Sequence, residues 1–166
     1  MAKKISRRNF LIASGMVGGT LLLGGYIAAE LVEPERAISD RLLGKPLTRF
    51  PQIEGAWTYR ENTLILDMSK LPELNALGSA VRIEGEILPE PILVVLGDDG
   101  NYYVFKNVCT HAGRMIDPVA GTMTLECCSV SKSTFDYQGA VLSGPAEGPL
   151  ISYPLAVDGD QLVITL

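Results

Sequence analysis

From about residue 48 onward, short apolar segments alternate with turn residues, a pattern typical of an antiparallel β protein. Residues 81–84 alternate apolar and polar side chains and predict a half-buried strand. Residues 92–96 form an unbroken apolar run between turns and predict a central strand. Further strands are predicted at residues 63–66, 102–105, 123–127, 140–142, 153–157 and 162–166, with hairpin turns at 97–101 and 158–160 and a loop at 71–78.

The N-terminal part of the chain follows a different pattern. Phe10 to Ala29 carries no charge and is long enough to cross a hydrocarbon core at about 1.5 Å per residue. The bases before this run are Lys3, Lys4, Arg7 and Arg8, and the acids after it are Glu30, Glu33 and Glu35. This asymmetry predicts a single-pass anchor in the cytoplasmic membrane with its N-terminus in the cytoplasm and the globular part on the periplasmic side.

Residues 6–11, Ser-Arg-Arg-Asn-Phe-Leu, look like a twin-arginine export signal. Removal of the segment is the alternative to an anchor, but residues 27–29, Ile-Ala-Ala, make a poor cleavage site. Gly15 and Gly19 have the spacing that lets a partner helix approach, although signal segments are also often glycine-rich. We therefore expect membrane protein subunits to contact this helix.

Three segments follow from these patterns. Residues 1–29 are predicted as the signal and anchor, residues 30–47 as a linker, and residues 48–166 as a β domain. Within the linker, residues 33–43 predict either a short helix, with Pro34 in its first turn, or a plain spacer.

The charge of the chain limits its partners. The formal net charge is −5, and because the four N-terminal bases precede every acid, the rest of the chain is more acidic still. An acidic domain is a poor nucleic-acid binder, so no nucleic acid is expected. A basic redox partner, such as a cytochrome, is compatible with this charge.

All three cysteines and the only histidine lie within one short stretch, at Cys109, His111, Cys127 and Cys128. Thiolates combined with an imidazole are typical ligands of iron or zinc. Cys109 and His111 are two residues apart, so in an extended loop both project to the same side. A zinc site with three cysteines and one histidine therefore stays open on ligand count alone.

The segment that contains these residues, residues 78–166, resembles the Rieske domain. That family holds a [2Fe–2S] cluster with two boxes, Cys-x-His and Cys-x-x-His, roughly sixteen residues apart. Cys109 and His111 match the first box and Cys128 matches the second. The downstream matches are Ser133-Thr134-Phe135-Asp136, Gly139, Gly144-Pro145-Ala146, Pro149-Leu150 and Tyr153. The resemblance implies a Rieske-like antiparallel β sandwich with cluster-binding loops.

The chain departs from the family pattern at three positions. Ser131 stands where the second histidine ligand is expected. Arg114 and Val130 stand where quinol-oxidising members carry a disulfide. The missing histidine leaves one iron without a strong donor.

Two states of the site follow from the resemblance. In the first, a [2Fe–2S] cluster is bound with atypical ligation by Cys109, His111, Cys128 and Ser131, with Cys127 as an alternative thiolate. In the second, no cluster is bound and a Cys109–Cys128 disulfide closes the site.

Two further residues would tune such a cluster. Ser133 matches the serine that donates a hydrogen bond to a bridging sulfide, and Phe135 replaces the tyrosine of high-potential members. Fewer hydrogen bonds to sulfur predict a lower reduction potential than that of quinol-oxidising members.

The expected function is that of a subunit in a membrane-bound, quinol- or cytochrome-linked electron-transfer complex. The alternative is a cluster-free subunit that keeps the Rieske scaffold for docking. A Rieske oxygenase is excluded, because its mononuclear iron needs histidines that the chain lacks. A hydrolase with Ser131 as nucleophile would lack a free base.

Overall fold

The computed structural model describes residues 47–166, so the predicted anchor and nearly all of the predicted linker lie outside the described residues. Within this range no helix is long and apolar enough to cross a membrane. Two short 3-10 helices, Met68–Lys70 and Pro72–Leu74, fall in the predicted 71–78 loop and just before it. The strands are β1 (Trp57–Arg60), β2 (Thr63–Asp67), β3 (Ser79–Ile83), β4 (Ile92–Leu96), β5 (Tyr102–Lys106), β6 (Ile116–Val119), β7 (Thr124–Cys127), β8 (Thr134–Asp136), β9 (Val141–Ser143), β10 (Leu155–Asp158) and β11 (Gln161–Thr165).

These strands form three antiparallel sheets. The base sheet has the order β1-β2-β11-β10, the middle sheet β3-β4-β5, and the site sheet β6-β7-β8-β9. Neighbours in the middle and site sheets are consecutive in sequence, so both are simple meanders. The β domain is thus built of three small sheets, and the predicted mostly antiparallel β fold is confirmed.

The middle strand β4 explains how one domain holds two cores. Ile92, Val94 and Leu96 point into the core shared with the base sheet. Leu93 and Val95 point the other way, into the core under the site sheet. Every residue of β4 is buried, because each face covers a different core. The prediction of a central strand at 92–96 is confirmed.

All the predicted strands are present, with bounds that shift by up to two residues. The pattern missed β1, β6 and β8. β6 contains Pro118, which is unusual in a strand, and β8 is only 3 residues long. β1 and β2 are joined by Glu61 and Asn62 with φ values of 48° and 62°, a two-residue turn with both residues left-handed. Glu61 is an uncommon residue for such a turn, so the hairpin was not evident.

The first described residues run across the domain as an extended segment, which we call the strap (residues 47–52). The backbone N–H groups of Leu47 and Thr48 donate to the Asp117 carboxylate on β6 at 2.8 and 2.9 Å. The Arg82 N–H donates to the Arg49 carbonyl at 2.9 Å. The strap is therefore bonded both to the site sheet and to β3 of the middle sheet.

The outer half of the strap is held by side chains. The Arg82 guanidinium lies over the Phe50 ring, 4.0 Å from its centroid. The Gln52 N–H donates to Glu73 Oε1 at 3.0 Å. A cation over an aromatic ring contributes about 0.5–1 kcal/mol at an exposed site, so this contact adds to the backbone bonds.

Candidate functional site

The first loop of the site leads from β5 to β6 and is closed at its base. The buried Asn107 side chain accepts the Ile116 N–H at 2.8 Å. Inside that bond, the Cys109 N–H donates to the Arg114 carbonyl at 2.7 Å, and the Gly113 N–H donates to the Cys109 carbonyl at 3.0 Å. This tight loop turns the Cys109 side chain into the core, where it is 2% exposed.

The second loop connects β7 to β8. The Cys127 N–H donates to the Ser133 carbonyl at 2.9 Å, so the two residues face each other at the base of the loop. The Cys128 N–H donates to the Met115 carbonyl at 2.9 Å, which ties the second loop to the end of the first. The two predicted boxes are thus brought together by backbone bonds.

The cysteine that faces Cys109 is Cys127. Cys127 pairs with Ile116 across the strands, is 1% exposed, and lies in the same buried cluster as Cys109. Both thiols therefore face the same core. Cys128 follows in the strand direction and therefore points to the opposite face, near Asp117. The sequence matched Cys128 to the second box and kept Cys127 as the alternative thiolate. In the structure, Cys127 is the cysteine that shares a buried cluster with Cys109.

All three cysteines are free thiols in the structure, so the predicted Cys109–Cys128 disulfide is not formed. The physical reason is that Cys128 lies on the far side of β7 from Cys109. Burial raises the pKa of the Cys127 thiol, and the neighbouring Cys109 raises it further, while a hydrogen bond to Ser129 opposes the shift. Burial and the charge of Asp117 raise the pKa of Cys128.

The other predicted ligands lie at the surface. His111 and Ser131 are both exposed, and Val130 beside Ser131 is 88% exposed. Lys132 pairs with Glu126 at 2.7 Å. Among residues 47–166, no three His, Cys, Asp or Glu side chains converge closely enough to hold a metal ion.

Ser133 lies beside the thiol pair. The register Glu126↔Thr134 places Ser133 opposite Cys127, on the same buried face of the sheet. Ser133 is 0% exposed, and its Oγ has no hydrogen-bond partner. Phe135, two residues on, is also fully buried in this core. Leaving a buried hydroxyl without a partner costs about 1–3 kcal/mol. This hydroxyl belongs to the serine that the resemblance expects to donate a hydrogen bond to a bridging sulfide.

A third loop, residues 144–148, packs against both boxes. The Thr110 hydroxyl, between Cys109 and His111, donates to the Gly148 carbonyl at 2.6 Å. At Gly144, an added Cβ would lie 2.6 Å from Ser133 Cα and would also overlap the Lys132 carbonyl oxygen. The sequence analysis assigned no role to Asn107 or Thr110. Their only signal was a polar side chain next to the first box.

The residues therefore fit only half of a [2Fe–2S] centre. The paired thiols of Cys109 and Cys127, with the unpaired Ser133 hydroxyl beside them, suit the iron that is held by sulfur. The other iron needs two imidazoles, and His111 is the only histidine in the chain. Ser131, at the second position, offers a hydroxyl that is a poor iron ligand.

Two known ferredoxins are similar to this chain in sequence. The ferredoxin component of the naphthalene 1,2-dioxygenase system of Pseudomonas aeruginosa is 30% identical over 99 residues, which cover 58% of this chain and 88% of the ferredoxin. The 3-phenylpropionate/cinnamic acid dioxygenase ferredoxin subunit of Escherichia coli (strain K12) is 28% identical over 91 residues, which cover 54% of this chain and 82% of that subunit.

A similar fold is found in a solved complex of reduced oxygenase and oxidized ferredoxin in carbazole 1,9a-dioxygenase. The similar chain there is 19% identical, with a TM-score of 0.51 over 64% of this chain and 94% of that one. The sequence model of the Rieske [2Fe-2S] domain family matches residues 68–154, just over half of this chain. The chain therefore belongs to the Rieske [2Fe-2S] domain family.

Proposed function

We propose that this protein is a subunit of a membrane-bound, quinol- or cytochrome-linked electron-transfer complex, in which its Rieske head contributes scaffold and docking surface without a [2Fe–2S] cluster. One observation carries the proposal: the head keeps the buried thiol pair of Cys109 and Cys127 but has one imidazole where a Rieske centre needs two. Family membership supports a role beside electron carriers, since the similar proteins named above are ferredoxins. The incomplete ligand set supports a structural role within that setting.

The N-terminal sequence supplies the location in this proposal. Residues 1–29 anchor the chain in the cytoplasmic membrane, and the head lies on the periplasmic side. The anchor contacts membrane subunits of the complex, and the acidic head faces a basic redox subunit such as a cytochrome.

A second candidate is a one-electron carrier whose cluster has atypical ligation. The unpaired Ser133 hydroxyl favours it, because that atom lies beside the thiols with nothing to bond. Cys109, Cys127 and His111 would hold the cluster, with Ser131 or Cys128 as the remaining ligand. Such a cluster would supply one-electron transfer, at a low potential because Phe135 offers no hydroxyl to its sulfurs.

Iron and acid-labile sulfide analysis of the full-length chain, with an EPR spectrum after dithionite reduction, separates the two candidates. We expect no iron, no sulfide and no cluster signal. Two irons and two sulfides per chain with a [2Fe–2S] signal would instead establish the electron carrier. Zinc in place of iron in the sample would instead indicate a zinc site formed by the three cysteines and the histidine.

The location is tested separately. We expect the full-length chain to stay with the membrane after alkaline carbonate extraction, and its head to be cut by protease added to intact spheroplasts. On a native gel it should migrate with subunits of a cytochrome or quinol oxidoreductase. A head that is cut only in inverted vesicles, or a chain released by carbonate, would contradict this part of the proposal.

A further inference from the structure

We propose that Cys109 and Cys127 form an intramolecular disulfide that closes the Rieske site, linking the two loops that iron joins in other family members. This inference rests on the cluster-free head of the proposed function and adds the covalent bond that takes the place of the metal.

The two thiols already lie together. Both side chains are in one buried cluster, 2% and 1% exposed. Each lies on a hydrogen-bonded backbone, since the Cys109 N–H is bonded to Arg114 and the Cys127 N–H to Ser133. The fold therefore brings these two thiols into the same core, which is the first requirement for a bond between them.

The other two pairings are opposed by the strand geometry. Cys128 faces the side of the site sheet on which Asp117 of β6 lies. It therefore cannot reach Cys109 without a one-residue register shift of β7. Cys127 and Cys128 are adjacent at the end of a strand, where successive side chains point apart. Cys128 is thus left as the free thiol.

The oxidation is an exchange with an external disulfide, such as a protein disulfide of an oxidising compartment or oxidised glutathione. One cysteine thiolate attacks that disulfide, forms a mixed disulfide and releases the first external thiol. The sulfur of the second cysteine then displaces the second external thiol. Two protein thiols are oxidised, one external disulfide is reduced to two thiols, and the protons of the cysteines pass to them. Because both thiols are buried in the folded head, exchange requires a local opening of the two loops.

The test uses the full-length chain, refolded with a mixture of reduced and oxidised glutathione and then alkylated in denaturant before and after reduction. We expect one alkylated cysteine before reduction and three after it. Cys128→Ser should give no alkylation before reduction and two sites after it. Cys127→Ser is the matched control, and both of its remaining cysteines should be alkylated before reduction.

Three results would overturn the inference. The first is a bond that survives in Cys127→Ser and is lost in Cys128→Ser, which would restore the pairing with Cys128. The second is alkylation of all three cysteines of the iron-free wild type before reduction. The third is iron and sulfide in the same sample with both thiols bound to metal, and this result would also replace the cluster-free head by the electron carrier. The first two leave the cluster-free role intact, so the two failures are distinguishable.

If Cys127→Ser does not fold, Cys128→Ser alone still decides the question. Only Cys109 and Cys127 remain in it, so the intact mass of the non-reduced chain must be lower than that of the reduced chain by two hydrogens. An unchanged mass would refute the bond.

Discussion

At the scale of single residues, the chemistry of this head depends on which side of β7 each sulfur occupies. The sequence places Cys109, His111 and the second cysteine pair in two boxes, but it does not show which side chains face a common core. A one-residue change of register moves every side chain of a strand to the other face, so the strand pairing is needed to distinguish Cys127 from Cys128. In the structure Cys127 pairs with Ile116 and shares the core with Cys109, whereas His111 is exposed.

Ser133→Ala tests the unpaired hydroxyl beside the thiols. In the iron-free protein we expect the free energy of unfolding to rise by about 1 kcal/mol, because a buried oxygen without a partner is removed. Urea denaturation measures the change. Thr110→Val is the control: its hydroxyl is bonded to Gly148, so the loss should be about 1 kcal/mol. A destabilised Ser133→Ala protein would mean that the hydroxyl has a hydrogen-bond partner in the iron-free head.

Tyr137→Phe tests a second unpaired hydroxyl, 3% exposed, at the other end of this core. At neutral pH we expect unchanged or slightly higher stability. Burial and the charges of Asp98 and Asp99 raise the pKa of Tyr137, so its ionisation is harder in the folded than in the unfolded chain. The pH-dependent part of the free energy of unfolding that comes from this raised pKa is therefore fully present below the ordinary tyrosine pKa of roughly 10. It is lost as the pH rises through the pKa of Tyr137 in the folded chain.

Urea midpoints of wild type and Tyr137→Phe, compared at neutral pH and above roughly pH 10, measure this effect. The wild type should lose more stability over that interval than the variant. Tyr103→Phe is the contrasting substitution, because the Tyr103 hydroxyl donates to Asp99 at 2.8 Å and its loss should destabilise the head at neutral pH. Parallel pH curves for wild type and Tyr137→Phe would contradict the assignment.

At the scale of elements, the site is three loops held on short strands. The sequence pattern was enough to predict β4 and β3. β4 is an unbroken apolar run because each of its faces covers a core, and β3 alternates because its buried and half-buried side chains alternate. β6 and β8 were not found. Both strands are short; Pro118 interrupts the pattern of β6, and β8 directly follows the second box. Only their pairing with β7 defines them as strands.

Gly144→Ala tests how closely the third loop packs on the second. Gly144 has a φ of +89°, and an added Cβ would overlap the backbone of Lys132 and Ser133. We expect a loss of several kcal/mol, from backbone strain of about 1–3 kcal/mol plus the overlap. Gly100→Ala is the matched control, because its φ is +81° but nothing lies within 4 Å of the new methyl group. Equal losses in thermal or urea denaturation would show that the overlap is relieved at no cost.

At the scale of the whole domain, the strap fastens the first described residues to the site sheet and to β3. The sequence placed the boundary at residue 48 from the onset of β patterning and gave no sign of the strap, because its bonds come from backbone N–H groups. Asp117, the residue that receives two of them, lies 69 and 70 residues away in the chain. Contacts this distant cannot be read from local composition.

Asp117→Ala tests the strap. Removing the carboxylate leaves the Leu47 and Thr48 N–H groups without an acceptor, so we expect faster hydrogen exchange there and easier proteolysis at residues 47–52. Asp158→Ala, an exposed aspartate on β10, is the control and should leave both unchanged. Equal protection in wild type and Asp117→Ala would mean that the strap is held by its Arg49 and Phe50 contacts alone.

Because the strap is hydrogen-bonded to the domain, it also limits where a hinge for movement of the head could lie. Tethered Rieske heads carry electrons by swinging between donor and acceptor, and the pivot must lie in chain that is free of the domain. Here residues 47–52 are bonded to the domain, so any hinge in the proposed membrane-bound arrangement has to precede residue 47. If the proposed anchor ends at residue 29, residues 30–46 would separate it from the strap. Their fully extended length of roughly 60 Å, at about 3.5 Å per residue, is then the upper limit on how far the head could reach from the membrane.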